Sequence, residues 1–315
     1  MATQVLPAAP RWSITFDRPA RIQAAIVAAA FVALFWELLD FIPAGGFGSI
    51  VYRWVHEGDW SHGPIIPLFS AYLVYLRWEP IRRCRIRHTW VGLVILLLGL
   101  GIYQYALWGI QIGYVRPVAM MICLLGVLIL LCGLPVMRYA WLPWLYLFFA
   151  IPIPQRYYFR LTDPLQRLAA TVAVGVLEVF PQVETERLGT MIHATYAGHV
   201  HELSVSDACS GMRSTMVLCA LGTAVAFATA RPWWHRVILL ASCLPIATFC
   251  NAIRVTTTSG LHIFVDPKYA TGKYHTALGL VLILLAFGIF LSIGWVLNNL
   301  FTEERDEPAA AGRPA

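Results

Sequence analysis

Long apolar runs are the feature that most constrains how this chain of 315 residues folds. A run of about 20 mainly apolar residues is long enough to cross the hydrocarbon core of a bilayer as a helix. Only 13% of the residues are charged, against roughly 25% in a soluble domain. The sequence therefore predicts an all-α integral membrane protein, with the lipid bilayer as its first partner.

The apolar runs predict about eight transmembrane helices. The stretch 160–180 carries charged residues among apolar ones at helical spacing, so an amphipathic helix in the membrane interface fits it better than a further span. We place the spans near residues 22–42, 62–77, 90–111, 114–134, 139–154, 211–230, 237–255 and 275–298.

Arginine in the loops sets the predicted orientation, because short cytoplasmic loops are rich in basic residues. Five arginines lie within 77–88 and three within the N-terminal segment 1–21, so both segments are predicted to be cytoplasmic. With eight spans both termini lie inside, and 299–315 forms a disordered cytoplasmic tail. A ninth span at 160–180 would put Arg231 and Arg236 outside, which favours eight.

Residues 22–298 form the predicted membrane domain, and 155–208 is its largest extracytoplasmic segment. Within 182–206 apolar and polar residues alternate, which predicts a small β-hairpin beside the interfacial helix. His199 and His201 would share a strand face, but no carboxylate or cysteine stands at ligand spacing, so we predict neither metal nor cofactor. The formal charge of +6 fits cytoplasmic loops better than a nucleic-acid surface.

The string SDACSGMRS, residues 206–214, begins the sixth span at its predicted outer end. Cys209 would lie at the mouth of this span, near water, where a thiol can act as a nucleophile. Asp207 is a suitable N-cap, and the positive end of the helix dipole favours a thiolate. Arg213 lies one helical turn beyond Cys209, on the same face.

The next two predicted spans bring two more reactive side chains to the outer level of the membrane. The seventh span ends at Arg254, and the eighth begins at His275. A cysteine nucleophile, a histidine that carries protons and an arginine that stabilises an oxyanion form a coherent set for cleaving a peptide bond. Structural roles stay open as the alternative, because basic side chains at span ends are commonly interfacial anchors.

Five sequence blocks together resemble the exosortase/archaeosortase family of integral-membrane cysteine transpeptidases, and the resemblance extends over about residues 22–298. Three blocks resemble the family's functional motifs, and two resemble the ends of its spans. The three functional blocks are Ala208–Gly211, Asn251–Arg254 and His275 with Gly279. The two span-end blocks are Asp59–Pro64 at the second span and Ile151–Pro154 at the fifth.

The resemblance implies Cys209 as the nucleophile, Arg254 as the stabilising arginine and His275 as the acid and base. It implies cleavage of C-terminal sorting signals of the PEP-CTERM type, each a short motif, a transmembrane helix and a basic end. The reaction would pass through a thioester at the periplasmic or exterior face of a bacterial cytoplasmic (inner) membrane, with water or an amine as the acceptor. Many family members are tied to exopolysaccharide production.

Four further residues are predicted to bind substrate. Arg213 and Arg116 are suited to a carboxylate in the sorting motif, His62 begins the second span on the outer side, and Asn251 opens the block that contains Arg254. The alternatives are a polytopic transporter, a polysaccharide-export component without peptidase activity, and an acyl- or lipid-transferring enzyme. Transporter sites lie near the membrane midplane, whereas these residues are predicted at one face, which favours the peptidase. The oligomeric state stays open.

Overall fold

The computed structural model describes residues 18–40, 49–87, 89–110, 113–205, 211–229, 231–270 and 272–300. The predicted nucleophile Cys209 and its neighbours 206–210 lie outside these described residues. Residues 1–17 and 301–315, which make up most of the two predicted terminal segments, also lie outside them. The chain divides into two compact units, Met1–Asp163 and Pro164–Ala315. The described part of both is mostly helical.

The first unit alternates short and long helices. A π-helical turn, Ala106–Ile110, extends one of them, and 3₁₀ turns lie at Gly58–Trp60 and Leu147–Ala150. The α-helices are α1 (Arg18–Leu34), α2 (Trp36–Leu39), α3 (Ile50–His56), α4 (Ile65–Leu76), α5 (Trp78–Arg82), α6 (Trp90–Tyr105), α7 (Val115–Cys132), α8 (Leu134–Tyr146) and α9 (Gln155–Leu177), which continues into the second unit.

Helices α6 and α7 pack with their backbones in close contact, and glycine makes this possible. A methyl group on Gly92 would lie 2.2 Å from the amide nitrogen of Leu130, and one on Gly126 would lie 2.5 Å from that of Leu96. Small residues at such crossings allow helices in a membrane to gain van der Waals contact and bring polar backbone groups together. The close packing of α6 against α7 therefore depends on these two glycines.

The described part of the second unit contains a small sheet and three long helices, in addition to the C-terminal part of α9. The sheet comprises β1 (Val183–Leu188), β2 (Met191–Tyr196) and β3 (His199–Ser204), and a 3₁₀ turn, Pro267–Ala270, lies between the last two helices. The helices are α10 (Gly211–Ala228), α11 (Trp233–Phe264) and α12 (Gly272–Leu300).

The segment predicted as a hairpin forms a three-stranded antiparallel meander, in the order β1-β2-β3. Its two turns contain Gly189 and Gly198, whose φ angles of +66° and +80° favour glycine. The inner face of the sheet carries Ile192 and Ala194, which are fully buried. Ile192 packs with Ala169, Ala170 and Ala173 of α9, so this amphipathic helix covers the sheet with its small-residue face.

Helix α11 is longer than the predicted span 237–255, because it continues to Phe264. Its 32 residues correspond to about 48 Å of helix, against about 30 Å of hydrocarbon core. The threonines that end the apolar run donate hydrogen bonds back to the helix, as from Thr258 Oγ1 to the carbonyl of Arg254 at 2.7 Å. Val255 and Ile263 are buried against α9 and the sheet, which stabilises the polar third of the helix.

Helices α10, α11 and α12 form a bundle with a buried apolar core. Leu218, Leu239 and Phe290 contribute one large apolar side chain from each helix to its buried core. Because each of these side chains is at most 3% exposed, the three helices are held in a fixed register. That register positions the polar side chains at the other end of the bundle.

Four helices among the described residues are long and apolar enough to cross a membrane: Trp90–Gly109, Val115–Cys132, Trp233–Phe264 and Gly272–Leu300. Arg21–Leu34 and Arg213–Ala228 are apolar but shorter. The predicted spans 62–77 and 139–154 correspond to α4 and α8, of 12 and 13 residues. These helices support a multi-pass membrane protein, while the number of eight spans stays a prediction.

Candidate active site

A polar cavity of about 410 Å³ lies among the three long helices of the second unit. Each helix contributes at least one basic side chain to its wall: Arg213 from α10, Arg254 from α11 and His275 from α12. The remaining lining residues are Ser214, Thr276, Gly279, Leu280 and Ile283.

The central contact of the cavity joins Arg254 Nη2 to His275 Nε2 at 2.6 Å. A guanidinium has only donors, so the histidine nitrogen must accept this hydrogen bond. The imidazole is therefore neutral, and its proton is on Nδ1. Because Arg254 is only 6% exposed, water competes weakly for the contact, which fixes the relative position of the two side chains.

The second nitrogen of His275 is available for a further contact. Nδ1 is buried and has no hydrogen-bond partner among the residues that the structure describes. A buried polar atom without a partner is costly and is commonly explained by a ligand, by water or by a role in chemistry. Two of the predicted catalytic residues, Arg254 and His275, are thus brought into direct contact, with one polar group still to be satisfied.

Of the other predicted residues of this unit, Arg213 lines the cavity and Asn251 does not. Asn251 precedes Arg254 by nearly one turn of α11 and is 6% exposed, and the cavity wall does not include its side chain. Cys209 lies outside the described residues, and α10 begins at Gly211, two positions after it.

The two remaining predicted site residues, His62 and Arg116, belong to the first unit. His62 is 8% exposed, and its ring centroid lies 5.9 Å from that of Trp60. Arg116 forms an ion pair with Glu37, and its guanidinium lies 6.0 Å from the ring centroid of Tyr103. These surroundings favour a structural role for Arg116 in the first unit, and its predicted contact with substrate stays a prediction.

Sequence reasoning did not identify Ser214 and Thr276 as cavity residues, and it named Gly279 only as part of the block that contains His275. Each hydroxyl residue directly follows a predicted basic residue, but adjacent positions on a helix point about 100° apart. Adjacency alone therefore gives no reason to expect a shared wall. Gly279 offers a better signal, because its spacing of four from His275 puts both on one helix face.

An apolar groove of about 660 Å³ lies on the neighbouring face of α11. Leu168, Val172 and Val176 of α9 form one of its walls. Ala252 and Ile253 of α11 belong to the groove, whereas the next residue, Arg254, belongs to the polar cavity. Helix α11 therefore separates a polar cavity from an apolar, open surface.

Two histidines of the sheet, His193 and His201, each contact another side chain. His193 Nδ1 lies 3.7 Å from a carboxylate oxygen of Glu202, and the ring centroids of His201 and His262 are 5.5 Å apart. Within the described part of the chain, no group of three or more His, Cys, Asp or Glu side chains is arranged to hold a metal ion.

The fold and this cavity define a multi-pass membrane protein whose long C-terminal helices enclose a basic, polar site. A protein-family model described as transmembrane exosortase (Exosortase_EpsH) matches residues 54–292, which is well over half of the chain. The chain belongs to this family of transmembrane exosortases. The matched range includes the positions of Cys209, Arg254 and His275. No curated protein and no solved structure matches the chain.

Proposed function

We propose that this exosortase is a membrane-embedded cysteine endopeptidase and transpeptidase that cleaves the C-terminal sorting signals of exported proteins. The observation that carries the proposal is the contact of Arg254 with His275 in a cavity that Arg213 also lines. Four peptide units separate Arg213 from Cys209, so chain connectivity keeps their Cα atoms within about 14 Å of each other. The thiol is thus tethered close to the cavity.

The first chemical step is attack of the Cys209 sulfur on the scissile carbonyl carbon. The thiol proton passes to Nε2 of His275, the ring nitrogen with the lone pair, in place of the hydrogen bond from Arg254; the S–C bond forms, and the carbonyl π electrons move to oxygen. The tetrahedral intermediate therefore carries one negative charge on oxygen, opposite a newly formed imidazolium. A fixed cationic donor beside that oxygen lowers the barrier.

Arg254 is suited to supply this donor at the moment when it is needed. While His275 is neutral, its Nε2 accepts the hydrogen bond from Arg254. Once the ring is protonated, both nitrogens are donors and the guanidinium loses its acceptor. Proton transfer from the thiol therefore releases Arg254 Nη2 toward the oxyanion, so activation of the nucleophile and stabilisation of the intermediate are coupled.

Collapse of the intermediate breaks the C–N bond and leaves a thioester on Cys209. The imidazolium of His275 gives its proton to the departing amine, which restores the neutral ring. Water or an amine then attacks the thioester and gives a proton to His275, which returns it to the cysteine sulfur as that bond breaks. Hydrolysis and transpeptidation differ only in this second nucleophile.

The proposed setting is the outer face of a bacterial inner membrane, with the sheet and the polar third of α11 in the periplasm or exterior. The substrates are membrane-anchored proteins with a PEP-CTERM-like tail. An anchored substrate presents its scissile bond at the membrane–water boundary, and diffusion in the plane of the membrane brings it to the cavity. The predicted loop charges support this orientation.

The decisive experiment co-expresses the protein with a reporter that ends in a sorting motif, an apolar helix and a basic tail. Cys209→Ala is expected to stop processing, because no acyl-enzyme can form. The matched control is Cys132→Ala, which removes a half-buried thiol from α7 and should leave processing unchanged. Unaltered processing by Cys209→Ala would reject the nucleophile.

A trapping experiment separates the peptidase from a transporter or an export component. Hydroxylamine cleaves thioesters, so its addition to the wild-type protein should release the reporter as a hydroxamate. The yield should fall to the background level in Cys209→Ala. A protein that carries no thioester intermediate would give no hydroxamate in either form.

A further inference from the structure

We infer that Gly279 is a positioning residue for Arg254, because the absent side chain leaves the space in which the guanidinium lies against α12. A methyl group at this position would lie 3.2 Å from Arg254 Nη2, 3.4 Å from Cζ and 3.8 Å from Nε. The guanidinium therefore rests on the backbone of α12 at Gly279. The catalytic consequence rests on the proposed function, whereas the geometry does not.

The contact with Gly279 and the contact with His275 involve the same atom. Nη2 is the guanidinium atom nearest to Gly279 and also the donor to His275 Nε2 at 2.6 Å. A methyl carbon at 3.2 Å is tighter than ordinary van der Waals contact, so it would push Nη2 away by a few tenths of an ångström. Starting from 2.6 Å, such a shift keeps the contact within the ordinary range of a hydrogen bond, which extends to about 3.2 Å, but it lengthens the contact and moves the guanidinium from its present position. A methyl group at 279 is therefore expected to loosen the central contact of the cavity.

Backbone conformation does not explain this glycine. Gly279 lies inside α12, with none of the positive φ that the structure shows at Gly272. A glycine in a helix interior is unfavourable relative to alanine. Gly288 lies in the same helix with nothing within 4 Å of a methyl group, so it has the same backbone cost and no neighbour to accommodate. The two positions differ in the guanidinium that Gly279 contacts.

The test compares Gly279→Ala with the matched control Gly288→Ala on the sorting-tail reporter. We expect Gly279→Ala to lower turnover about 10- to 100-fold, since small misplacement of a catalytic group has effects of this size. The apparent KM should change little, because the displaced group acts on the transition state. Gly288→Ala should match the wild type. Equal turnover in all three proteins would overturn the inference.

A double-mutant cycle with Arg254→Lys distinguishes positioning from general destabilisation. Lysine is smaller at its head and has no planar fork, so alanine at 279 has no guanidinium to displace. The loss caused by Gly279→Ala should therefore vanish in the Arg254→Lys background, while independent effects would multiply. If Gly279→Ala alone fails to fold, the double variant should restore folded protein; continued loss would contradict the inference.

A chemical measurement needs no substrate. Diethyl pyrocarbonate acylates the free lone pair of a neutral imidazole, and in the wild type the lone pair of His275 Nε2 faces Arg254. Its rate of modification, followed by mass spectrometry, should rise in Gly279→Ala and in Arg254→Lys but not in Gly288→Ala. An unchanged rate in Gly279→Ala would contradict the role of Gly279. If the wild type processes no sorting tail, the proposed function fails, and this measurement still decides the positioning role.

Discussion

At the scale of single residues, the site depends on one contact between two side chains that can both be cationic. Arg254 is always charged and is buried on α11, so it needs acceptors around it. The neutral imidazole of His275 is one such acceptor. The arrangement therefore stabilises a buried cation while the histidine is neutral.

Replacing Arg254 by lysine tests whether the shape of the guanidinium matters as well as its charge. We expect turnover on the reporter to fall about 100- to 1,000-fold, the usual cost of removing one oxyanion donor. The lysine ammonium cannot reproduce the planar fork that contacts His275 and Gly279. Wild-type turnover in purified Arg254→Lys would show that charge alone is sufficient.

The ion pair of Arg116 with Glu37 predicts a structural role that charge reversal can test. Arg116→Glu should lower the Tm in detergent, because it places two carboxylates side by side. The double variant Glu37→Arg with Arg116→Glu restores an ion pair and should recover most of the Tm and the wild-type processing. A double variant that is stable but inactive would instead support the predicted contact of Arg116 with substrate.

The proximity of Arg254 and His275 could be predicted from the sequence, whereas the partner of Arg116 could not. Loop arginines predict the direction of each span, and the predicted directions alone bring Arg254 and His275 to one membrane level. Glu37 lies 79 positions from Arg116, and no pattern in the sequence states which span packs against which. Lateral packing depends on side-chain shape across the whole bundle, so it becomes visible only in the structure.

At the scale of elements, the glycine contacts between α6 and α7 predict a strong dependence on side-chain size. Gly92→Ala should destabilise the protein by about 1–3 kcal/mol or more, because its methyl group meets the backbone of Leu130, which cannot rotate away. The control is Gly101→Ala in the same helix, where nothing lies within 4 Å. The free energy of unfolding of that variant should rise by up to about 1 kcal/mol, because alanine has the higher helix propensity. Thermal unfolding in detergent measures both, and equal Tm values would contradict the close packing.

The ends of elements show where local sequence stops being informative. The apolar run of α11 ends near residue 255, yet the helix continues to Phe264. Its threonines do not by themselves predict a helix, but their hydroxyls donate hydrogen bonds to backbone carbonyls of the preceding turn. The C-terminal end of α11 also packs on the sheet. Likewise, the alternation of apolar and polar residues within 182–206 predicted a two-stranded hairpin, whereas the structure has a third strand. The apolar face of α9 packs against the resulting sheet.

At the scale of the whole molecule, the topology depends on whether α9 lies on the membrane or crosses it. It has 23 residues, enough to span by length alone. One of its faces, however, is buried against the sheet, and the helix carries Arg160, Asp163 and Arg167. Charged groups in the hydrocarbon core are costly. These properties favour an interfacial helix, which determines on which side of the membrane the sheet lies.

The side of the sheet can be measured relative to that of Cys84, which lies in the arginine-rich loop between α5 and α6. In a Cys209→Ala background, Glu186→Cys places a thiol at an exposed position of β1. Three predicted spans lie between Cys84 and the sheet, so the two positions should lie on opposite sides of the membrane. A membrane-impermeant maleimide should therefore label Glu186→Cys in intact cells and Cys84 only after permeabilisation. Mass spectrometry locates the label. If α9 crosses the membrane, four spans separate the two positions and both must label under the same condition. Labelling of Cys84 alone in intact cells would instead reverse the whole orientation, because the arginine-rich loop and the sheet would then have exchanged sides.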